Sequence, residues 1–363
     1  MCLRLVFGMG LSGSMMMASS GLAQPADSIS VAAKAKVPQN TVIATVPVGA
    51  SAIVVSPDNN TVYVANNSSI ESVVVLDATN NYAVKGTIAV AGVANYLAIS
   101  PDGNTLYVAG YNYNSGIAGN VYVIATNQPT YPVVMTLAIS GLPQGLAVTP
   151  DGKTLFVPYT NYSYELPGGV EMFATSNYAE TPIQTGGAPF EFVIAEQGKQ
   201  ADLLNGIPGT GYLQFINPVT GTLSSSIAGG GQIHYAVGMT TDASGSTLYI
   251  ANLGNYVTVC NAKDGKVIKQ ILVSPNIDDK IGLGQPAVTP DGQYLYVPLM
   301  YNYTLQKDPN QVAMFDVSTG KIVGPPIAVG LSPVWAQMAP NGDTLYVANQ
   351  DGTVTVVDTT PTP

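Results

Sequence analysis

Arginine is almost missing from this chain of 363 residues: Arg4 is the one copy. Histidine is represented by His234 alone, cysteine by Cys2 and Cys260, and charged residues make up 9% of the total. No apolar run reaches the roughly 18–20 residues that a membrane-spanning helix needs, so no membrane insertion is expected. Each scarcity removes a class of function. Beyond residues 1–23 no arginine remains, so the folded chain has no bidentate forks for phosphate. Twelve basic against 22 acidic residues set up a negative field, which argues against nucleic acid as a partner. One histidine cannot build a His-cluster zinc site, and no Cys-x-x-Cys-His offers haem attachment. Cys260, at the apolar strand position Val257-Thr258-Val259-Cys260, reads as a buried small hydrophobe and not as a nucleophile.

What is present is apolar, small and repetitive. Hydrophobic residues are 46% of the chain, with 38 Gly and 26 Pro as punctuation. Residues 1–23 read as a secretory signal peptide. Arg4 precedes an apolar stretch from Leu5 to Ser19, and Ser20-Gly21-Leu22-Ala23 offers small residues for cleavage after Ala23. Secreted or periplasmic localisation is therefore expected. Residues 24–40 read as a linker and 41–363 as the folded domain.

That domain is built on one phrase: apolar strand, Ser/Thr-Pro-Asp-Gly, a short gap, then Leu-Tyr-Val. Copies start at Ser56, Ser100, Thr149 and Thr289, with a variant at Ala339, a looser copy over Thr240–Asn252 and a degenerate one near Glu196–Lys199. The spacing of about 44–50 residues is that of a four-stranded propeller blade, and seven copies predict an all-β, seven-bladed β-propeller. In the second unit the expected strands are Tyr96–Ser100, Leu106–Ala109, Val121–Ala125 and Val133–Ile139. Thr41–Val46 matches an outer strand with no blade before it, and Thr353–Asp358 a third strand with no outer strand after it. The first should pair with the second and close the ring.

Tyr63-Val64-Ala65-Asn66, Tyr346-Val347-Ala348-Asn349 and Tyr249-Ile250-Ala251-Asn252 follow these turns, and Asp77, Asp316 and Asp358 end third strands. Over the whole domain the chain resembles the YVTN-type β-propeller repeat family. That resemblance implies the fold and leaves function open. The wider superfamily includes secreted and surface proteins as well as propeller subunits of quinoprotein amine dehydrogenases.

The repeated Asp58, Asp102, Asp151 and Asp291 fall one per blade, too far apart for paired acid–base work, and read as turn formers. Asp278-Asp279 is a weak candidate for a hard cation. The Gly206–Gly211 and Gly229–Gly231 runs lead into no helix and read as loops rather than phosphate cradles. His234 and Glu191 are the candidates for catalysis, without a Gly-x-Ser-x-Gly elbow to support them. The stronger signal is aromatic. Tyr111 and Tyr113, Tyr162 and Tyr164, and Tyr301 and Tyr303 lie in enlarged loops. Tyr96, Gln144, Phe190, His234, Tyr235, Gln285 and Trp335 lie in the connections entering the inner strands. Together they predict a face of Tyr, Asn and Gln suited to a neutral glycan, peptide or protein. The expected function is a non-catalytic binding or scaffold module without cofactor, acting as a monomer. The alternatives are a lactonase-like hydrolase or lyase near His234, or the propeller subunit of a redox complex.

Overall fold

Both faces of the second and third strands are largely apolar, and the structure shows why. In the second strand of blade 1, Thr61–Asn66, Val62 and Val64 belong to one hydrophobic core while Tyr63 and Ala65 belong to the next. Val74 and Leu76 of the third strand, Ser72–Asp77, go with the first pair, and Val73 and Val75 with the second. A strand sandwiched between two neighbours has no solvent face, so alternation disappears.

The computed structural model describes residues 36–66, 72–111, 119–161, 168–207, 210–225, 227–228, 232–233, 236–274, 280–302 and 304–361. Among them, seven antiparallel sheets form one compact unit, Pro38–Pro363. Seven core clusters lie between them, each shared by two consecutive sheets, and one of these joins the last sheet to the first. The architecture is a seven-bladed β-propeller.

Ring closure takes the expected form. Thr41–Val46 pairs antiparallel with Thr353–Asp358 and becomes the outer strand of the seventh blade. Just before it, Gln39 donates from its side-chain amide to Asp358 at 2.6 Å and to Thr360 at 2.8 Å. On the turn face, Asn59 stands where other blades carry glycine, at φ 63°, and its side-chain oxygen accepts the Asn341 N–H at 3.1 Å. Gly342 keeps the corresponding place in blade 7, where a Cβ would sit 2.9 Å from Pro290.

The Pro-Asp-Gly phrase is turn chemistry. The Asp102 carboxylate accepts the Ser100 hydroxyl at 2.5 Å and the Asn104 N–H at 3.0 Å, while Gly103 takes φ 73°. Asp58 and Asp151 repeat the pattern, and these bonds hold all three carboxyls below their ordinary values. Asp291 repeats the geometry. Blade 4 replaces the phrase with a short 3₁₀ turn over Glu196–Gly198, in which Glu196 and Gln197 adopt positive φ.

The outer strand of blade 2, Val133–Ile139, has the expected bounds, whereas its inner strand begins at Val93, ahead of the expected Tyr96. A bulge between Ala94 and Tyr96 lets the strand continue pairing past the irregularity. Part of the expected loop Gly110–Asn120 is strand, since Thr105–Tyr111 and Gly119–Ala125 extend into it. The Gly206–Gly211 run closes a hairpin: Gln200–Ile207 pairs with Thr210–Ile216. Cys260 is fully buried and its thiol is pushed up to about 12, chiefly by burial.

Candidate functional site

The inner strands do not run straight into the axis. In blades 2, 4, 5 and 7 the register slips near the end of the inner strand, between Ala94 and Tyr96, Pro189 and Glu191, Ala236 and Gly238, and Pro333 and Trp335. Each slip is a bulge, which turns the chain and re-aims the side chains beside it. Blades 3 and 6 achieve the same break differently. Their second strands carry Pro158 and Pro298, which have no N–H to donate, and the inner strand divides into Leu142–Pro143 and Ala147–Val148, or Ile281–Leu283 and Ala287–Val288.

These breaks surround a central cavity of about 370 Å³ to which every blade contributes: Ser51, Asn95 with Tyr96 and Tyr111, Leu142 to Gln144, Glu191, Val237, Gln285, and Val334 with Trp335. No Lys, Arg or His is among these residues. Glu191 is half-buried, and burial pushes its carboxyl up to about 8 against the pull of the Phe192 N–H. Burial also raises the Tyr96 phenol, followed by the charge of Glu191 and the neighbouring Tyr111.

Several lining groups are already occupied. The Gln285 amide clamps blade 5, accepting the Met239 N–H at 3.0 Å and donating to the Met239 carbonyl at 2.6 Å. Gly238 makes the clamp possible, since a Cβ there would lie 2.3 Å from the Gln285 oxygen. Ser51 shares its hydroxyl proton between the carbonyls of Ala65 and Ala94. Gln144 donates to Thr160 at 3.0 Å. The Trp335 ring packs against the cores on both sides of blade 1, and its buried N–H has no acceptor among the described residues. A second cavity of about 350 Å³, toward the turn face, is bordered by blades 5 to 7 and also touches Gln285.

Of the residues singled out from sequence, Tyr96, Tyr111, Gln144, Glu191, Gln285 and Trp335 meet at the central cavity. Tyr301 is not among its lining residues; it lies next to last in the second strand of blade 6, opposite Gly282. Phe190 occupies the bulge of blade 4. Tyr113, Tyr162, Tyr164, His234, Tyr235, Asp278, Asp279 and Tyr303 lie outside the described residues. Among the other lining residues, Ser51, Val237 and Val334 carry no sequence motif. A signal for them exists: like Gln144 and Trp335, they stand five or six residues before the turn residue of their blade. The Asn that closes the Tyr-Val-Ala-Asn motif is structural: Asn349 is buried and donates to Thr355 at 3.0 Å, and Asn252 does the same to Thr258. Among the described residues, no group of three His, Cys, Asp or Glu could hold a metal ion.

No protein-family model matches the chain, and no curated protein does. A solved structure does. Kuenenia stuttgartiensis hydrazine synthase superposes with a TM-score of 0.71 at 21% identity, over 87% of this chain and 97% of that one. At such identity the likeness is one of fold, and it supports the seven-bladed propeller. The YVTN-type resemblance is not matched by a family model. No helix among the described residues is long and apolar enough to cross a membrane.

Proposed function

We propose that this chain is an exported, YVTN-type propeller that acts as a non-catalytic binding or scaffold module, engaging a neutral glycan, peptide or protein at its central opening. The observation that carries this reading is the lining itself. All seven blades contribute to one cavity that presents aromatic rings and uncharged polar groups, with a single carboxyl and no cation among its described residues. Such a lining gives apolar contact area and hydrogen bonds without charge selection. Acid–base catalysis needs a second group matched to the first, and Glu191 has no carboxylate or imidazole beside it in the described lining. The redox-subunit reading is favoured only by the likeness to hydrazine synthase, which extends to fold alone.

Glycan and peptide arrays followed by calorimetric titration test the proposal. A ligand should bind with little dependence on salt and weaken by about tenfold or more in Tyr96→Ala. Binding that is unchanged in both Tyr96→Ala and Gln144→Ala would place the ligand elsewhere.

A further inference from the structure

Among the described residues that line the central cavity, Glu191 is the single carboxyl and has no counter-charge beside it. Resting on the reading above, we propose that the central cavity takes a neutral saccharide unit, and that Glu191 holds it in the protonated form, donating a hydrogen bond from its O–H while accepting another at its carbonyl oxygen.

The surroundings of Glu191 lead to this assignment. From the other blades the cavity presents Ser51, Gln144, Val237, Gln285 and Trp335, none of which ionises, and Tyr96 and Tyr111 from blade 2. Among the described residues no cation lines the cavity to stabilise a carboxylate, and the partial burial of Glu191 there favours its protonated form. The direction of its shift agrees: burial raises it to about 8. Tyr96 is raised as well, so its hydroxyl also stays protonated. The described lining therefore offers hydroxyl-type donors together with two tyrosines.

The available groups favour sugar over peptide. The amide best suited to a peptide bond, that of Gln285, is used on both sides by Met239, and the Ser51 proton is committed to two backbone carbonyls. A protonated carboxyl carries donor and acceptor side by side, which complements two adjacent sugar hydroxyls. Tyr96 and Tyr111 provide faces for the C–H side of a sugar ring. A volume of about 370 Å³ is near the lower end of ligand sites, which suits a sugar unit or the end of a glycan chain better than a folded partner.

The test is calorimetric titration of the purified protein with glucose, galactose, mannose, N-acetylglucosamine and short neutral oligomers of each, at about pH 6 and about pH 9. At least one probe should bind at the lower pH and about tenfold more weakly at the higher, because binding is lost as Glu191 gives up its proton. Glu191→Gln keeps a donor and an acceptor in the same shape. It should bind within about threefold of the parent and lose the pH dependence, whereas Glu191→Ala should lose binding by about tenfold or more. Tighter binding by the oligomers than by single sugars points to a glycan end, and equal binding to a free sugar; both support the assignment. Binding abolished in Glu191→Gln, or preference for choline or putrescine, would show an ionised carboxylate and overturn it. Saccharide binding that fails in Tyr96→Ala but ignores Glu191→Ala, or binding of peptide probes alone, would overturn it while leaving the central-opening reading intact. Failure of every sugar, amine and peptide probe would overturn both. Thermal unfolding checks that each variant is folded, and should Glu191→Ala not fold, the pH profile of Glu191→Gln decides.

Discussion

Left-handed backbone recurs in each blade in the connection that leads to the outer strand. Blades 4 to 6 use Gly221, Gly265 and Gly320, but blades 1 to 3 use Tyr82, Tyr131 and Tyr178 at φ 58°, 46° and 54°. A non-glycine residue there costs about 1–2 kcal/mol. Contacts to the preceding blade offset it: Tyr82 sits edge-on to Tyr346 with centroids 6.0 Å apart, and Tyr131 packs into the core that contains Tyr63. Asn40, at φ 55°, fills the same place ahead of the closing strand and accepts the Tyr296 hydroxyl at 2.9 Å. Six blades carry an aromatic residue at this second-strand position, whereas blade 4 has Asp202. Asp202 is fully buried, one oxygen accepts from Gln200 at 2.7 Å, the other has no partner among the described residues, and burial raises the carboxyl to about 7. Because the folded state holds this proton more tightly than the unfolded chain, the stabilisation is complete below about pH 4 and is lost as pH rises through about 7. The turn carboxyls Asp58, Asp102 and Asp151 act in the opposite sense, since their lowered values cost stability as pH falls through them. Greatest stability should therefore lie on the mildly acidic side. Asp202→Asn should raise the melting temperature by about 2–4 °C at pH 8 and change it little near pH 4. An equal shift at both values in a pH series of thermal melts would exclude titration of Asp202 as the cause. The aromatic repeat was visible in sequence, but Asp202 was not, because blade 4 lacks the turn that would have aligned it.

Bulges do two jobs at the level of the strand. At the axis they aim side chains into the cavity; at the rim they protect edges. The outer strands of blades 7, 1, 2 and 5 each contain one, at Ile43, Lys85, Val134 and Ile268. Blade 3 guards its outer strand with Glu180 and Pro182, and blades 4 and 6 keep theirs to two-residue segments. An edge that is bulged, charged or short is a poor template for another chain. Val133–Ile139 shows the need most clearly, being uncharged, with Val133, Val134 and Met135 all exposed. Deleting Val134 should regularise this edge and cause concentration-dependent association, measured by light scattering, while circular dichroism stays native. A deletion variant that remained monomeric at high concentration would remove this role from the bulge. Turns, second strands and the closing strand could be read from the sequence because Pro, Asp, Gly and the Leu-Tyr-Val core leave fixed signatures. The bulges could not, since one extra residue in a strand changes pairing without changing composition. Pro158 and Pro298 were visible as letters, but their effect on the inner strand depended on which neighbour needed the missing N–H.

The whole ring explains why recognition is expected where the repeats differ. Seven shared cores commit both faces of the second and third strands to packing, and the turn face is committed to Asp, Gly and Pro contacts between blades. The central opening is the place where side chains vary from blade to blade without disturbing that scaffold: Ser51, Tyr96, Gln144, Glu191, Val237, Gln285 and Trp335 occupy related positions with different chemistry. Sequence identified most of these residues but not their roles. Gln285 proved to be a clamp, and Glu191 has no counter-charge among the described lining residues, facts that depend on which blade lies opposite. The most direct measurement is a crystal structure of the protein soaked with the saccharide probe that binds best in solution. The sugar should occupy the central cavity, with its ring face on Tyr96 and a hydroxyl within hydrogen-bonding distance of Glu191. Sugar bound on the outer rim or in the turn-face cavity, with the central cavity empty, would contradict it.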